Sequence, residues 1–549
     1  MSQASTDVAG GAGAGGGAGG TGGAGGAHAH ADDRPDATLS DWIAIAAGSL
    51  GALMATLDIS IVNSALPQIQ GEIGASGTEG TWIATGYLIS EVVMIPLAAW
   101  FTRVFGLRNF LLACASMFTV FSIVCGLCTS LEGMIFGRVG QGFTGGALIP
   151  TAQTIVATRL NRRQMPVGMT LFGLIVILGP LAGPVLGGWL TENATWRWCF
   201  FLNIPVFFGL AALLLLGLDY EKPRFQMLAR ADWSGIFGMT VFLSCLTTVL
   251  EEGQRERWFE SELIVTLALF SLAGFIVLMI SQLRSREPVI KLSLLLNPSY
   301  ASVIVIVIVV GSVLYGVLYI LPQFLSNVSH YNSYQSGKIL LISGVPAFLI
   351  MPILPRILGR MNNKLVISSG LLLLAASAFL DMHLSPDSDG GDFVWSQILR
   401  GFGQMLAMMP LNQASVGSVS REETGDAAGL YNMARNLGGS IGLALLGVFI
   451  DRQTEFHGDM IRESITQNSQ LAQSRIAANA AGFAAQHGDL ALGQSQALRQ
   501  LAGQIDLQAL VITYGDCFWA LGVVLLASIP LVFLLRKPRG RGGPSAAAH

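Results

Sequence analysis

The sequence predicts an all-α membrane protein, and two observations lead to that fold class. Of the 549 residues, 52% are hydrophobic and only 12% are charged, whereas soluble domains average about 25% charged residues. So little charge cannot cover the surface of a soluble chain of this length. Apolar segments of about twenty residues also recur along the chain, and each could cross the ~30 Å hydrocarbon core of a bilayer as a helix.

The apolar segments follow one another from Asp41 onward, and the seventh is the shortest. Together they predict fourteen membrane spans, at residues 42–66, 80–101, 109–129, 131–157, 166–190, 199–218, 234–250, 262–282, 300–325, 338–358, 364–382, 393–415, 427–450 and 510–535.

The basic residues predict the orientation, because connections on the cytoplasmic side carry an excess of Lys and Arg. With an even number of spans, both termini lie on the same side. If that side is the cytoplasm, 20 of the 31 basic residues fall in inside connections, 8 fall in outside connections and 3 fall within spans. Four of the outside residues belong to one long connection, where the rule is weak. The sequence therefore predicts that both termini are cytoplasmic.

Two stretches outside the spans have distinctive compositions. Residues 10–27 are almost wholly Gly and Ala, which predicts a disordered tail over 1–40 because such residues bury no side chains. The long connection 451–509 is rich in Ala and Gln, and its spaced apolar residues predict helix. This connection is either a solvated cap on the last two spans or a docking surface for a partner outside the membrane, and the residues leave both interpretations open.

Several kinds of chemistry are disfavoured. A net charge of −3 argues against a nucleic-acid partner. Cys125 and Cys128 form a single C-x-x-C motif inside an apolar segment without a second ligand pair, so we predict packing rather than a metal or redox site. A membrane-embedded enzyme such as a lipid-linked transferase needs acidic or histidine residues on a sizeable loop. The longest loop offers His457 and His487 without a recognisable motif.

Ionisable residues inside the predicted spans mark a candidate proton pathway, because a charge in hydrocarbon is costly and is usually paired or functional. Depths counted at ~1.5 Å per residue place Asp58 level with Arg138, place Arg400 level with Asp516, and leave Glu91 near the midplane. An arginine favours the ionised form of a nearby carboxylate, so a pair that separates can bind and release a proton. We predict Asp58, Arg138 and Glu91 as proton-coupling residues and Arg400 with Asp516 as a second candidate pair. The alternative for each is a static ion pair.

The fifth predicted span has an unusual cluster of glycine and proline. Three of its glycines recur every four residues and share one helix face, which permits close helix packing. Its two prolines each remove a backbone hydrogen bond. We predict a closely packed hinge segment, with tight packing without motion as the alternative; its residues are Gly179, Pro180, Gly183, Pro184, Gly187 and Gly188.

Related strings in the fourth and twelfth spans, RVGQGFTGGALIPTAQ from Arg138 and RGFGQMLAMMPLNQ from Arg400, are typical of a duplicated bundle. With other motifs, they make residues 40–535 resemble the fourteen-helix drug:proton antiporters of the major facilitator superfamily, and within them the EmrB-like branch. The motifs that carry the resemblance are LDISIVNSALP (57–67), RVGQGFTGGALIP (138–150), GPLAGPVLGG (179–188), WRWCFFLNIP (196–205) and ARNLGGSIG (434–442).

One motif departs from the superfamily pattern. The connection between the second and third helices usually carries an Asp after a Gly, whereas WFTRVFGLR (100–108) has Arg103 and Ala99 at those positions. The EmrB-like branch often has a basic residue there, so the departure fits the branch. It puts in doubt the usual account of that connection as a charge-relay latch.

The resemblance implies a major facilitator fold with two six-helix bundles and two extra helices. It further implies a multi-pass protein of the bacterial inner membrane, without a cofactor, that works with a periplasmic membrane-fusion adaptor and an outer-membrane channel. The corresponding divisions of the chain are a tail over 1–40, a first bundle over 41–220, the extra helices over 221–295, a second bundle over 296–535 that includes the periplasmic loop 451–509, and a cytoplasmic tail over 536–549.

The predicted function is proton-driven export of hydrophobic or amphiphilic drugs and toxic compounds. A dedicated exporter of one metabolite, such as a siderophore or fatty acid, is the alternative, and a proton symporter is disfavoured by the fifth-span motif. Aromatic and Met side chains suit varied apolar ligands because they repack. With ordinary helix packing as the alternative for each, the predicted cavity-lining residues are Asn63, Trp82, Glu91, Gln141, Tyr315, Tyr319, Gln323, Met405 and Met409.

Overall fold

The computed structural model describes residues 36–161, 163–285, 288, 290–465, 469–487 and 489–535. These residues form helices and connections and contain no β-strand, which confirms the all-α prediction. Of the tail predicted over 1–40, residues 1–35 fall outside the described residues, and a helix already begins at Leu39. The predicted tail 536–549 falls wholly outside the described residues.

We label α1 to α14 the helices that overlap the fourteen predicted segments. Three labels cover interrupted helices: α4 and α6 have two pieces each and α10 has three. The bounds are α1 Leu39–Ile73, α2 Trp82–Phe105, α3 Leu107–Leu127, α4 Leu131–Gly145 and Leu148–Arg159, α5 Met165–Asn193, α6 Arg197–Phe201 and Asn203–Gly217 (which together form one 21-residue candidate span), α7 Trp233–Glu252, α8 Glu262–Arg284, α9 Pro298–Asn327, α10 Ser333–Leu341, Gly344–Ile350 and Leu354–Arg360, α11 Asn363–Leu380, α12 Val394–Gly417, α13 Thr424–Ser464 and α14 Leu490–Val532.

Fewer helices than predicted meet a length and hydropathy criterion for crossing a membrane. Within the described residues, eleven helices meet it, and the bent α10, whose parts meet at 57°, makes twelve. Two predicted spans fall short for different reasons. The α4 pieces are only 15 and 12 residues long, and α12 carries arginine, glutamine and asparagine side chains that lower its hydropathy. The count of fourteen therefore stays a prediction.

The connection predicted as helical over 451–509 is helical in its described residues. Helix α13 continues to Ser464, a separate helix spans Gln470–His487, and α14 already begins at Leu490. The separate helix packs against α14, where Gly493 faces the backbone of Ala480 and Ala484. Helices α13 and α14 are therefore much longer than a membrane span requires.

Helix α5 packs on α1 through the predicted glycine face. A Cβ atom added at Gly179, Gly183 or Gly187 would collide with Thr56, Ser60 or Ser64 of α1, respectively. This close approach also solves a hydrogen-bonding problem. Pro184 has no N–H to donate to the carbonyl oxygen of Pro180 one turn earlier, and the Ser60 hydroxyl donates to that oxygen at 3.1 Å instead. The helix therefore stays continuous through both prolines.

Helix α7 is bonded to helices from both ends of the chain. Its adjacent carboxylates point to different neighbours: Glu252 accepts a hydrogen bond from Thr85 of α2 at 2.8 Å, and Glu251 accepts one from Ser440 of α13 at 2.6 Å. Arg255 also pairs with Glu252 at 2.8 Å. Helix α8 packs along α7. Helices α7 and α8 thus form a pair that is held to the rest of the protein through α7.

The glycine packing predicts different costs for one added methyl group at neighbouring positions. Gly183→Ala should lower the free energy of unfolding by about 1–3 kcal/mol, because its Cβ collides with Ser60. Gly188→Ala is the matched control, since its Cβ would lie 3.7 Å from the nearest atom, on Tyr334. Thermal unfolding of the purified variants measures the difference. Equal stability of the two variants would contradict close packing of α1 on α5.

Candidate functional site

The interior holds an ion pair between α1 and α4. Asp58 Oδ2 lies 2.6 Å from Arg138 Nη1, and each residue is only 1% exposed. Arg138 is further held by its Nε, which donates to the carbonyl oxygen of Ile83 at 3.1 Å, and by the ring of Tyr87, 4.3 Å away. The structure therefore brings together the two residues that the depth estimate paired.

The second carboxylate oxygen of Asp58 accepts two further hydrogen bonds. Asn203 Nδ2 donates to it at 2.8 Å and Gln141 Nε2 donates at 3.1 Å. Both amides also reach the Ser122 hydroxyl oxygen, at 2.8 and 3.1 Å. Helices α1, α3, α4 and α6 thus meet at one buried carboxylate, and both of its oxygens have hydrogen-bond partners.

This network corrects one prediction and adds two residues. Gln141 was predicted to line the substrate cavity, but it is fully buried among the partners of Asp58. The polar side chain of Gln141 was correctly noted, but the sequence did not show which way it faces. Asn203 and Ser122 were missed. Asn203 stands in the quoted motif WRWCFFLNIP, where an amide inside an apolar segment was the available signal.

A cavity of about 700 Å³ lies between the helices. We call outer end the end of the bundle where α1 and α9 finish, and inner end the end where they begin. Six predicted lining residues line this cavity: Asn63, Glu91, Tyr315, Tyr319, Gln323 and Met409. Three do not line it: Gln141 lies in the Asp58 network, Trp82 lies at the start of α2, and Met405 is fully buried in the core.

The ion pair and the cavity lie on different sides of the same helix. Ile59, Ser60 and Asn63 of α1 line the cavity, whereas Asp58 does not. Ser60 is also the residue that bonds to α5, whose Pro180 and Pro184 line the same cavity. A movement of α1 caused by a change at Asp58 would therefore alter the cavity wall directly.

Three charged residues line the cavity, namely Glu91, Arg400 and Arg435. Glu91 is 2% exposed, and the charges of Arg435 and, second, of Arg138 act on it. Tyr315 donates a hydrogen bond to Asn436 at 3.4 Å. Glu91 therefore lies beside a polar group on α9 and α13, and it is linked by charge to Arg138 of the Asp58 network.

The second predicted pair is wrong. Asp516 Oδ2 lies 2.7 Å from Nε2 of His457, on the extended part of α13. Arg400 lines the central cavity instead, and Asp381 is the acidic residue whose charge acts on it. Both residues of the predicted pair sit near one depth, but depth does not determine the direction in which a side chain points from its helix.

Ion pairs close the inner end, and one of them joins the first half of the chain to the second. Arg103 Nη1 donates to both carboxylate oxygens of Asp426, at 3.1 and 2.9 Å, and Asp426 is buried. Lys291 lies 3.3 Å from Glu423. Hydrogen bonding from Ser420 and the charge of Lys291 hold the pKa of Glu423 below its usual range. The arginine that departs from the superfamily pattern thus has a carboxylate partner.

A buried amide cluster closes the same end one layer deeper. Gln153 of α4 donates to Asn412 of α12 at 2.5 Å and accepts a hydrogen bond from Asn432 of α13 at 2.6 Å. Asn412 also lines the cavity, whose wall continues toward the outer end at Asn327 and Tyr331. The inner end is therefore closed by contacts between α4, α12 and α13.

Comparison with known proteins identifies the family to which these features belong. The family model described as Major Facilitator Superfamily matches residues 48–443. The xylose symporter XylE, of the same superfamily, has a similar fold. Its solved structure has a TM-score of 0.57 at 13% identity, with 90% of this chain and 95% of that chain covered.

Three curated relatives match nearly the whole chain. The colistin resistance protein EmrB of Acinetobacter baumannii is 31% identical, with 90% of this chain and 96% of the relative covered. The multidrug export protein EmrB of Escherichia coli strain K12 is 27% identical, with 91% and 96% covered. The fatty acid resistance protein FarB of Neisseria gonorrhoeae is 27% identical, with 91% and 97% covered. The resemblance to the EmrB-like branch is confirmed.

The inner closure predicts a charge-swap experiment. Arg103→Asp should increase hydrogen–deuterium exchange at the start of α13 by about tenfold or more, because it removes charged hydrogen bonds and leaves Asp426 facing another acid. The double variant Arg103→Asp with Asp426→Arg restores the opposite charges and should restore protection. Exchange that stays high in the double variant while both proteins remain folded would contradict an ion pair that holds this end closed.

Proposed function

Because the chain belongs to the Major Facilitator Superfamily, we propose that it is a proton-coupled antiporter that exports hydrophobic or amphiphilic compounds, including drugs, across a bacterial inner membrane. The observation that carries this proposal is the buried Asp58–Arg138 pair beside a large cavity that shares α1 with it. Proton coupling needs a carboxylate that can be neutralised, and export needs a cavity that can change its access. Helix α1 connects the two.

The proposed coupling starts with protonation of Asp58 from the outer side. A neutral carboxyl group loses most of its attraction for Arg138, and one of its oxygens then carries a hydrogen that changes the bonds to Asn203 and Gln141. Arg138 keeps its bond to Ile83. Helices α1 and α4 are then less tightly joined, and the wall formed by Ser60 and Asn63 can shift. Substrate leaves and the proton is later released inside.

The topology we propose is the fourteen-span arrangement with both termini in the cytoplasm. It is supported by the excess of basic residues on one side of the predicted connections. The buried polar side chains of α4 and α12 face protein neighbours rather than lipid, so their modest hydropathy is compatible with spanning. The inner end defined above is then the cytoplasmic end, and α7 with α8 is the extra pair.

We further propose that the extension formed by α13, the helix Gln470–His487 and α14 is periplasmic and contacts a membrane-fusion adaptor, which leads to an outer-membrane channel. Its support is length. At 43 residues, α14 is about 65 Å long, roughly twice the ~30 Å that the hydrocarbon core requires. This surplus supports a helical surface outside the membrane.

The alternative is an exporter dedicated to one metabolite on the same scaffold. The relative FarB, whose name records fatty acid resistance, favours this alternative. A substrate screen in a strain that lacks its own pumps separates the two: a broad resistance profile supports multidrug export, and protection against one compound class supports a dedicated exporter.

Replacement of Asp58 tests the proton coupling. Asp58→Asn should reduce proton-driven efflux in everted vesicles to background, because Asn cannot exchange a proton, while substrate counterflow without a proton gradient persists. Asp516→Asn is the matched control, since Asp516 pairs with His457 outside the network and its side chain is 39% exposed. Proton-driven efflux that survives in Asp58→Asn shows that the assignment is wrong.

Two methionines on α12 test the cavity. Met409→Ala should weaken substrate affinity about tenfold, because Met409 lines the cavity and its apolar side chain is lost from the binding surface. Met405→Ala should instead lower stability by about 2–5 kcal/mol, because Met405 is fully buried away from the cavity. Affinity and thermal unfolding are measured on both proteins. An unchanged affinity in Met409→Ala would argue against this cavity as the substrate site.

A further inference from the structure

Arg400 is a buried cation in the wall of the central cavity, and its guanidinium tip stands out for what surrounds it. It lines the central cavity and is only 5% exposed. Among the described residues, neither Nη1 nor Nη2 has a hydrogen-bond partner. Burying an uncompensated charge is costly. An arginine retained in such a place is therefore suited to an anion that arrives with the ligand.

The comparison with Arg138 shows what Arg400 lacks. The two arginines begin related strings in α4 and α12, but Arg138 has a carboxylate at 2.6 Å from the first helix of its half. Asp58 stands nine residues before Pro67 of α1, and the residue nine before Pro322 of α9 is Val313. The second half thus has an apolar residue where the first half has the neutralising acid.

Asp381 does not take over that role. It lies at the end of α11, and its charge acts on Arg400. However, the two side chains do not approach within the 4.0 Å of an ion pair in the described part of the chain. Asp381 is buried, at 4% exposed, at the end of α11. Arg400 therefore lines the cavity with neither an ion-pair nor a hydrogen-bond partner at its Nη atoms within the described part of the chain.

The rest of the charged lining leaves a positive balance. The cavity has two arginines, Arg400 and Arg435, and one acid, Glu91. Arg435 is the opposite charge that acts most strongly on Glu91, so Arg400 is the arginine of the lining that has no lining acid of its own. The remaining wall mixes aliphatic and methionine side chains, as at Ile177, Leu318 and Met408, with polar ones such as Asn63, Gln323 and Gln404. A cation beside the aliphatic part of this wall matches a ligand with one negative group and an apolar body.

We propose that the cavity binds monoanionic amphiphiles, with the carboxylate or a similar anionic head paired to Arg400 and the apolar body against the aliphatic wall. The arginine fork can hold a carboxylate through two parallel hydrogen bonds. This proposal rests on the proposed export function and specifies the charge class of its substrates. Cationic amphiphiles of the same length are the compounds it disfavours.

Three probes with the same chain and different heads test the proposal: dodecanoate, dodecanol and dodecyltrimethylammonium. Their dissociation constants are measured on the full-length protein in phosphatidylcholine nanodiscs, and partition into protein-free nanodiscs is subtracted. We expect dodecanoate to bind at least about tenfold more tightly than dodecanol, because a charged hydrogen bond adds roughly that factor. The cation should bind most weakly. Equal affinities for the three probes overturn the proposal, whatever the variants do.

Arg400→Gln identifies the residue responsible. It should weaken dodecanoate binding about tenfold to a hundredfold and leave dodecanol binding unchanged, whereas Arg400→Lys should keep a preference for the anion. Arg356→Gln is the matched control, because Arg356 is exposed and does not line the cavity. A preference for dodecanoate that persists in folded Arg400→Gln overturns the proposal. If Arg400→Gln does not fold, the dissociation constants of the three probes are compared on the wild-type protein and on Arg400→Lys instead. A preference for dodecanoate in both proteins supports the proposal, and the absence of that preference overturns it.

Transport measurements in vesicles distinguish a failure of this proposal from a failure of the proposed export function. Efflux of dodecanol-like neutral compounds without any advantage for the anion overturns the anionic site and leaves the antiporter intact. Charge-selective binding to Arg400 without proton-driven efflux overturns the antiporter and supports the site. Dodecanoate binding that is displaced by the anionic lipid phosphatidylglycerol, but not accompanied by dodecanoate efflux, identifies Arg400 as a lipid site and overturns its role toward substrates.

Discussion

The ion pair between Asp58 and Arg138 is the interaction on which the arrangement of the first six helices depends. A buried carboxylate is tolerated only with a positive partner and enough hydrogen bonds. Here Arg138 and Gln141 come from α4, Asn203 from α6, and Ser122 of α3 bridges the two amides. Four helices must therefore keep one relative position as long as Asp58 is ionised. The serine and proline contacts of α1 with α5 extend that constraint to the cavity wall.

The sequence predicted the depth of the site residues in the membrane, but it did not predict the direction in which each side chain points. Depth along the membrane normal can be counted from the sequence, and it paired Asp58 with Arg138 correctly. The same count paired Arg400 with Asp516 wrongly, because Asp516 faces His457 and Arg400 faces the cavity. Direction around a helix depends on which helices are neighbours. The prediction that Gln141 lines the cavity was wrong for that reason, although the predicted span that contains Gln141 was correct.

The fold was predictable to a similar extent. The all-α class, the superfamily and most helix positions follow from apolar segments and motifs, whereas the number of spans does not follow from hydropathy alone. In α12 the side chains that lower hydropathy, such as Arg400 and Asn412, face a cavity and protein neighbours. A helix that meets little lipid has no need to be strongly apolar. The long outer ends of α13 and α14 were also not predicted. Helix was expected within 451–509, but not as a continuation of the thirteenth and fourteenth spans.

The length of α13 joins distant parts of the molecule in one continuous helix. Its 41 residues extend about 60 Å, and they include Asp426 at the inner closure, Arg435 in the cavity and His457 in the outer extension. If the helix tilts as one body, a tilt of about 5° over that length moves the far tip by about 5 Å. A partner that binds the outer tip of α13 would therefore respond to whether the inner end is closed. By thermodynamic reciprocity, binding of that partner would also shift the equilibrium between the closed and open inner end.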